Sequence, residues 1–202
     1  MMPPTKRPPR GVIEPDLLIA AYKTGYFPMA ESREGPIFWL SPDPRAIIPL
    51  ESFKISRSLR QTLKKGLFDL RIDTAFERVL RACAERKETW ISEEIVASYN
   101  LLHELGYAHS VESWQGGSLC GGLYGVAVGG AFFGESMFSR KRDASKAALA
   151  ALVGLLRKNR FELLDTQFIT PHLASLGAIE ISKSEYLRML ATALLKDCTF
   201  AN

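Results

Sequence analysis

Two short strings place polar chemistry inside otherwise apolar sequence. The first is Gly134-Glu135-Ser136-Met137-Phe138-Ser139, which follows a glycine-broken apolar run and precedes a basic turn. The second is Asp165-Thr166-Gln167, at the end of the apolar segment that begins at Phe161. A buried carboxylate or amide is costly unless it is paired or used. In an extended segment residues two apart share a face, so Asp165 and Gln167 point the same way, toward a ligand or merely to satisfy a strand end. Glu135 is open to two readings at this level, a functional carboxylate or a buried partner for Lys146 or Arg140. Ser136 and Ser139 invite a nucleophile reading, but the string is not the GxSxG elbow and no histidine sits in a recognisable partner position.

Other chemistries find little support. The three cysteines, Cys83, Cys120 and Cys198, lack CxxC spacing and read as free thiols of a cytoplasmic protein. His103, His109 and His172 lack the spacing of a metal site, so no metal is expected. No apolar run reaches membrane-spanning length, and the basic, proline-rich start Met1–Gly11 lacks the apolar centre of a signal peptide. That start reads as a flexible arm. Net charge over the 202 residues is +4, compatible with a polyanionic partner without demanding one. A basic stripe, Lys54, Arg57, Arg60 and Lys64, recurs at helical spacing and is either a solvated helix face or a phosphate-binding surface.

The elements that must hold these residues follow from capping and periodicity. Residues 1–45 form a small N-terminal domain: a helix opened by Pro15-Asp16 and stopped at Gly25, then two proline-punctuated aromatic loops. Residues 46–202 form a second domain. Helix Ser52–Lys65 and strand Leu67–Ile72 come first, then a helix with a capping box at Thr74 and Glu77 that runs to Arg86. A helix started by Ser92 and ended by Gly106 follows, with an apolar face of Ile95, Tyr99, Leu102 and Leu105. Strands are predicted at His109–Trp114, Leu119–Val128, Ala131–Glu135, Phe161–Gln167 and Ala178–Ile181. Helices are predicted at Ala144–Lys158, capped by Asp143, from Thr170-Pro171, and after Ser182. The order is similar to the GNAT acyltransferase fold, an α/β mixed sheet flanked by helices, here with a small N-terminal domain.

Nine strings in register carry a more specific resemblance: GYFP (25–28), SPDPR (41–45), TWI (89–91), LHELGYAHSVE (102–112), GGLYGV (121–126), GESMFS (134–139), ASK (144–146), DTQ (165–167) and HLASLGA (172–178). Together they resemble the leucyl/phenylalanyl-tRNA–protein transferases over Leu17 to Leu190. The resemblance implies cofactor-free transfer of leucine or phenylalanine, with methionine left open, from tRNA to proteins beginning with Arg or Lys, creating a degradation signal in the cytoplasm. The amino acid ester is already activated, and an α-amino acceptor with a pKa of about 7.7–8.0 is partly neutral near pH 7, so positioning can do much of the work.

The resemblance also implies roles. Gln167 orients the attacking amine, Asp165 polarises or holds it, and Glu135 contacts the amine or the cationic side chain of the acceptor. Leu123, Phe132, Met137, Leu149, Leu152, Leu156 and Leu164 line the aminoacyl side-chain pocket, although Leu149, Leu152 and Leu156 share a helix face with or without a ligand. Trp90 lies near the terminal adenosine, with Met29 and Trp39 at neighbouring family positions. Met29 stands where better-known members carry tryptophan, Leu40 follows Trp39 in place of a second tryptophan, and most of the family's segment before Asp16 is lacking. Adenosine binding is then either weakened or shifted toward Tyr26, Phe27 or Trp39. The basic stripe becomes a tRNA phosphate contact. A monomer is the default expectation. The alternatives are a tRNA-binding adaptor without catalysis and an acyl-CoA-dependent N-acetyltransferase, the latter disfavoured because the turn before Ala144 has no glycines.

Overall fold

The computed structural model describes residues 11–86 and 89–200; most of the basic arm expected at 1–11 lies outside them. Helix α1 (Pro15–Lys23) leads into strands β1 (Phe27–Ala30) and β2 (Ile37–Leu40). The two proline-punctuated segments expected as loops are therefore a hairpin, paired Phe27 with Leu40 through Ala30 with Ile37. Pro28 is tolerated because this two-stranded sheet consists only of edges.

The remaining strands are β3 (Arg45–Ile47), β4 (Asp69–Ile72), β5 (Ala108–Gln115), β6 (Ser118–Val128), β7 (Ala131–Ser139), β8 (Leu163–Gln167) and β9 (Ile179–Ile181). They form one sheet in the order β4-β5-β6-β7-β8-β3-β9. Only β7 and β8 are parallel; all other neighbours run antiparallel. This is the mixed sheet expected from the element order. Strand β3 was not foreseen. It is three residues long, too short to show a period of two, and it enters the sheet between β8 and β9.

Helices α2 (Arg57–Lys64), α3 (Phe76–Ala84), α4 (Glu93–Glu104), α5 (Ala144–Lys158), α6 (Pro171–Ser175) and α7 (Lys183–Leu194) complete the chain. Two apolar clusters lie against the sheet. One gathers Leu18 and Tyr22 of α1, Phe76 and Val79 of α3, Ile95 and Tyr99 of α4, and Tyr186 of α7, with Tyr124 and Phe133 from the sheet. The other gathers Leu149, Leu152, Val153 and Leu156 of α5 around Leu123, Phe132 and Leu164. Helix α5 is the crossover that a parallel pair requires. It sits so close to β6 that a side chain at Gly121 would meet the Ala144 Cβ at 2.6 Å, so glycine is needed there.

Three capping expectations change. The helix expected from Ser52 starts at Arg57, because Ser56 accepts the Leu59 N–H at 3.2 Å and Lys54 donates its own N–H to the Leu176 carbonyl. Thr74 and Glu77 form no capping box. Thr74 and the Ala75 N–H instead donate to Glu112, a wholly buried carboxylate that also accepts from Ser110 and Trp114. Asp143 stands at the N-cap of α5 with φ of 64° and makes no side-chain cap, facing Lys146 at 3.5 Å and Thr62 at 3.5 Å. Thr170 and Ser182 cap α6 and α7 as expected. Leu105, expected on the buried face of α4, is the C-cap residue and half exposed.

Candidate active site

The parallel strands separate where the polar strings begin. Strand β7 pairs with β8 only from Ala131–Leu163 to Phe133–Asp165. Beyond Gly134 it follows β6, while β8 pairs through Asp165 and Gln167 with β3. A cavity of about 460 Å³ opens at the split, within the usual range for a small-molecule site. Because the sheet itself parts, residues facing both apolar clusters reach the same space. Leu123, Met137, Leu149, Leu152, Leu164 and Leu173 make an apolar compartment on the α5 side. Tyr124, Glu135, Arg86 and Trp90 line the other side, with Met29 from the hairpin.

A β-bulge aims the carboxylate. Tyr124 pairs with Ser136 and Gly125 with Gly134, which leaves Glu135 as the extra residue. Its side chain turns toward α1 and α4, accepting from Tyr22 at 2.8 Å and Tyr99 at 3.3 Å, and from Gln167 Nε2 at 3.0 Å. Tyr22 and Tyr99 also hydrogen-bond each other. Burial pushes Glu135 up to about 8, with Asp165 adding to the rise while the tyrosine hydrogen bonds and Arg45 oppose it. Neither expected cation pairs with it: Lys146 faces Asp143, and Arg140 pairs with Glu85 at 2.8 Å. A carboxylate that changes protonation near neutral pH is matched to an amine substrate.

Asp165 stands behind this surface, wholly buried and outside the cavity wall. Its Oδ1 and Oδ2 accept from Arg45 Nε at 2.9 Å and Nη2 at 2.6 Å. Tyr186 donates to Oδ2 at 2.9 Å, and the Gln167 N–H donates to Oδ1 at 2.9 Å. The Arg45 guanidinium lies between the rings of Phe27 and Tyr186, 4.8 and 4.5 Å from their centroids, and donates to the Gly25 carbonyl at 3.0 Å. Burial pulls Arg45 down, but the paired Asp165 more than offsets it and the guanidinium is held above its ordinary value. The consequence is geometric. Gln167 occupies a left-handed conformation, φ of 58°, at the centre of a tight turn in which Phe168 N–H donates to the Thr166 carbonyl at 2.7 Å. Such strain in a non-glycine residue persists only where its surroundings over-determine it, and here the Asp165–Arg45 pair does so.

The expected site residues therefore divide. Gln167, Glu135, Leu123, Met137, Leu149, Leu152, Leu164, Trp90 and Met29 meet at one cavity. Phe132 and Leu156 are buried in the α5 cluster but do not line it. Trp39 also lies outside the lining, partly exposed on β2 opposite Pro28. Arg57, Arg60 and Lys64 share a shallow depression on α2 with Gln61, whereas Lys54 lies outside the helix. Sequence reasoning missed Tyr22, Arg45, Tyr99, Tyr124 and Tyr186 as site residues. Arg45 had only its place in SPDPR to mark it and Tyr124 its place in GGLYGV, while Tyr99 read as an apolar-face residue of its helix. At the start of α5, Ala144 N–H donates to the Lys141 carbonyl and Ser145 N–H to Ser139 Oγ, so these amides are engaged within the chain and not offered to a pyrophosphate. Among the described residues no cluster of metal-ligating side chains occurs, and no helix is long and apolar enough to cross a membrane.

Comparison with known proteins adds the family. The model of the leucyl/phenylalanyl-tRNA protein transferase matches residues 47–191, and the model of that family's N-terminal domain matches residues 11–43. A leucyl/phenylalanyl-tRNA–protein transferase of Chlorobaculum parvum is 56% identical over 193 residues, covering 94% of this chain and 100% of its own. The corresponding protein of Herpetosiphon aurantiacus is 56% identical over 189 residues, 93% of this chain and 98% of its own. That of Paramagnetospirillum magneticum is 56% identical over 190 residues, 92% and 91% respectively. With the site assembled from the same strings that carried the resemblance, the chain belongs to the leucyl/phenylalanyl-tRNA protein transferase family.

Proposed function

We infer that this protein is an aminoacyltransferase that moves leucine or phenylalanine from tRNA to the N-terminus of an acceptor protein beginning with Arg or Lys, in the cytoplasm. The observation that carries the reading is the two-sided cavity at the split between β7 and β8. One side is apolar and closed by Leu149, Leu152 and Leu164; the other presents Glu135 and Gln167. An apolar compartment of this kind suits a leucyl or phenylalanyl side chain and offers a charged one no partner. It separates closely related apolar side chains by about 1–3 kcal/mol per methylene.

In this reading the side chain of the donor enters the α5 compartment and its terminal adenosine lies toward Trp90 and Met29. Base stacking on the tryptophan contributes about 1–3 kcal/mol. The acceptor amine attacks the ester carbonyl carbon. The new N–C bond forms, the C–O bond to ribose breaks, the nitrogen loses a proton and the ribose oxygen gains one. The ionised fraction of Glu135, which grows as pH approaches about 8, accepts the amine proton, and Gln167 orients the nitrogen through its amide. Asp165 acts through Gln167 and Arg45, as a positioning residue. The basic face of α2 contacts phosphates of the tRNA body, which positions the donor without reading sequence.

The test is transfer of labelled leucine or phenylalanine from charged tRNA to peptides starting with Arg, Lys, Asp, Glu or Ala, as purified components. Transfer confined to Arg and Lys peptides, abolished in Gln167→Ala, supports the reading. Transfer to Asp or Glu peptides overturns the acceptor assignment. Charged tRNA bound without transfer to any peptide favours an adaptor that has lost catalysis.

A further inference from the structure

Among the described residues three buried side-chain hydroxyls have no hydrogen-bond partner: Ser41, Tyr124 and Thr166. Two of these residues, Tyr124 and Thr166, line the cavity, with their hydroxyl oxygens covered in the free protein. Buried polar atoms are nearly always satisfied, and an orphan in the wall of a binding site points to a partner that arrives with the ligand. Thr166 alternates with Asp165 and Gln167 along β8 and so follows Leu164 toward the apolar compartment. Tyr124 lies on the Glu135 side, where the reacting atoms would meet.

The three tyrosines around Glu135 are not equivalent. Tyr22 and Tyr99 hold the carboxylate and each other. Tyr124 packs edge-on against Tyr99, with ring centroids 5.6 Å apart, yet its hydroxyl bonds neither Tyr99 nor Glu135. Burial, followed by the charges of Tyr99 and Glu135, pushes its pKa well above the ordinary phenol value, so it stays a neutral O–H donor throughout the working range. The reaction calls for such a donor. Attack on the ester moves negative charge first onto the carbonyl oxygen and then onto the departing ribose oxygen. Ionised Glu135 serves as the proton acceptor, and Gln167 Nε2 already donates to it.

Building on the transferase reading, we propose that the Tyr124 hydroxyl donates a hydrogen bond to the scissile ester oxygen that gains negative charge as the acceptor amine attacks. It is a catalytic residue on this account, a preorganised donor of the kind that stabilises oxyanions. Its lack of a partner is a standing cost to the fold, and the covered hydroxyl meets the ester once the bound donor displaces the side chains over it.

The experiment is Tyr124→Phe, which removes one oxygen and leaves the ring packing intact. Transfer is measured from charged tRNA to an Arg-starting peptide at saturating donor, with donor affinity and the melting temperature measured in parallel. The expected result is a maximal rate lower by about 10²–10³-fold, donor affinity within about threefold, and a melting temperature equal to or above that of the parent. That combination separates a catalytic hydroxyl from a structural one, whose loss lowers stability and rate together. A variant rate within about threefold of the parent overturns the proposal, as does a rate loss accompanied by a fall in melting temperature. Absence of transfer by the parent protein itself in the same assay would instead count against the transferase reading. A donor with an activated leaving group locates the oxygen: a defect that persists assigns Tyr124 to the carbonyl oxygen, and a defect that vanishes assigns it to the ribose oxygen.

Discussion

Replacing Glu135 with glutamine keeps the shape of the side chain and removes its titration, which separates charge from packing. The carboxyl sits at about 8 in the folded protein, against about 4.3 in an unfolded chain. Across that window the folded state holds a proton that the unfolded state has released. Its contribution to stability is therefore complete below about 4.3 and is lost as pH rises toward 8. Each pH unit inside the window is worth about 1.4 kcal/mol, so raising pH from 6 to 8 removes about 2 kcal/mol from the parent. For a chain of this size that lowers the melting temperature by about 4–8 °C. Glu135→Gln should lack this component, and its advantage over the parent should grow from pH 6 to 8. The groups facing Glu135 from neighbouring elements, Tyr22, Tyr99, Asp165 and Arg45, are unchanged in the variant, so the difference isolates one titration. Thermal melts of both proteins at half-unit pH intervals supply the measurement. Parallel curves for the two proteins would refute the reasoning, because they would mean that Glu135 is ionised throughout. The same variant should transfer about 10²–10⁴-fold more slowly if Glu135 accepts the amine proton.

Breaking the buried pair by Arg45→Met should destabilise the fold by about 3–5 kcal/mol in urea denaturation, because Asp165 is left buried and unpaired; adding Asp165→Leu should recover much of that stability while transfer stays impaired. Leu149→Phe should narrow the apolar compartment, and competition between the two charged donors should show phenylalanine transfer falling more than leucine transfer. Changing Arg57, Arg60 and Lys64 together to alanine should weaken binding of charged tRNA and flatten its salt dependence by about one log–log unit for each phosphate no longer neutralised. A short aminoacyl-adenosine donor provides the comparison, since an equal loss there would place α2 in the active site and not on the tRNA body.

Most of the element order is legible from the chain because it depends on local signals. Ser92, Thr170 and Ser182 cap the helices they precede, and α5 follows from its apolar period. Expectations failed where a tertiary partner prevailed over a local one. Thr74 leaves its capping box because Glu112, buried on β5, needs donors, and residues 52–56 stay out of α2 because Lys54 bonds to the loop after α6. Composition and motif spacing determined the chemistry on offer: a carboxylate in GESMFS, a carboxylate and an amide in DTQ, and an apolar helix between them. They could not show that the sheet parts at Gly134 and Asp165, because strand separation arises from pairing partners far apart in sequence. Nor could they show that Arg45, 120 positions from Asp165, fixes the turn that aims Gln167. The residue types on offer for chemistry were set by the sequence itself; which of them face the cavity, and which stand behind holding others in place, was decided only when β3, β7 and β8 came together.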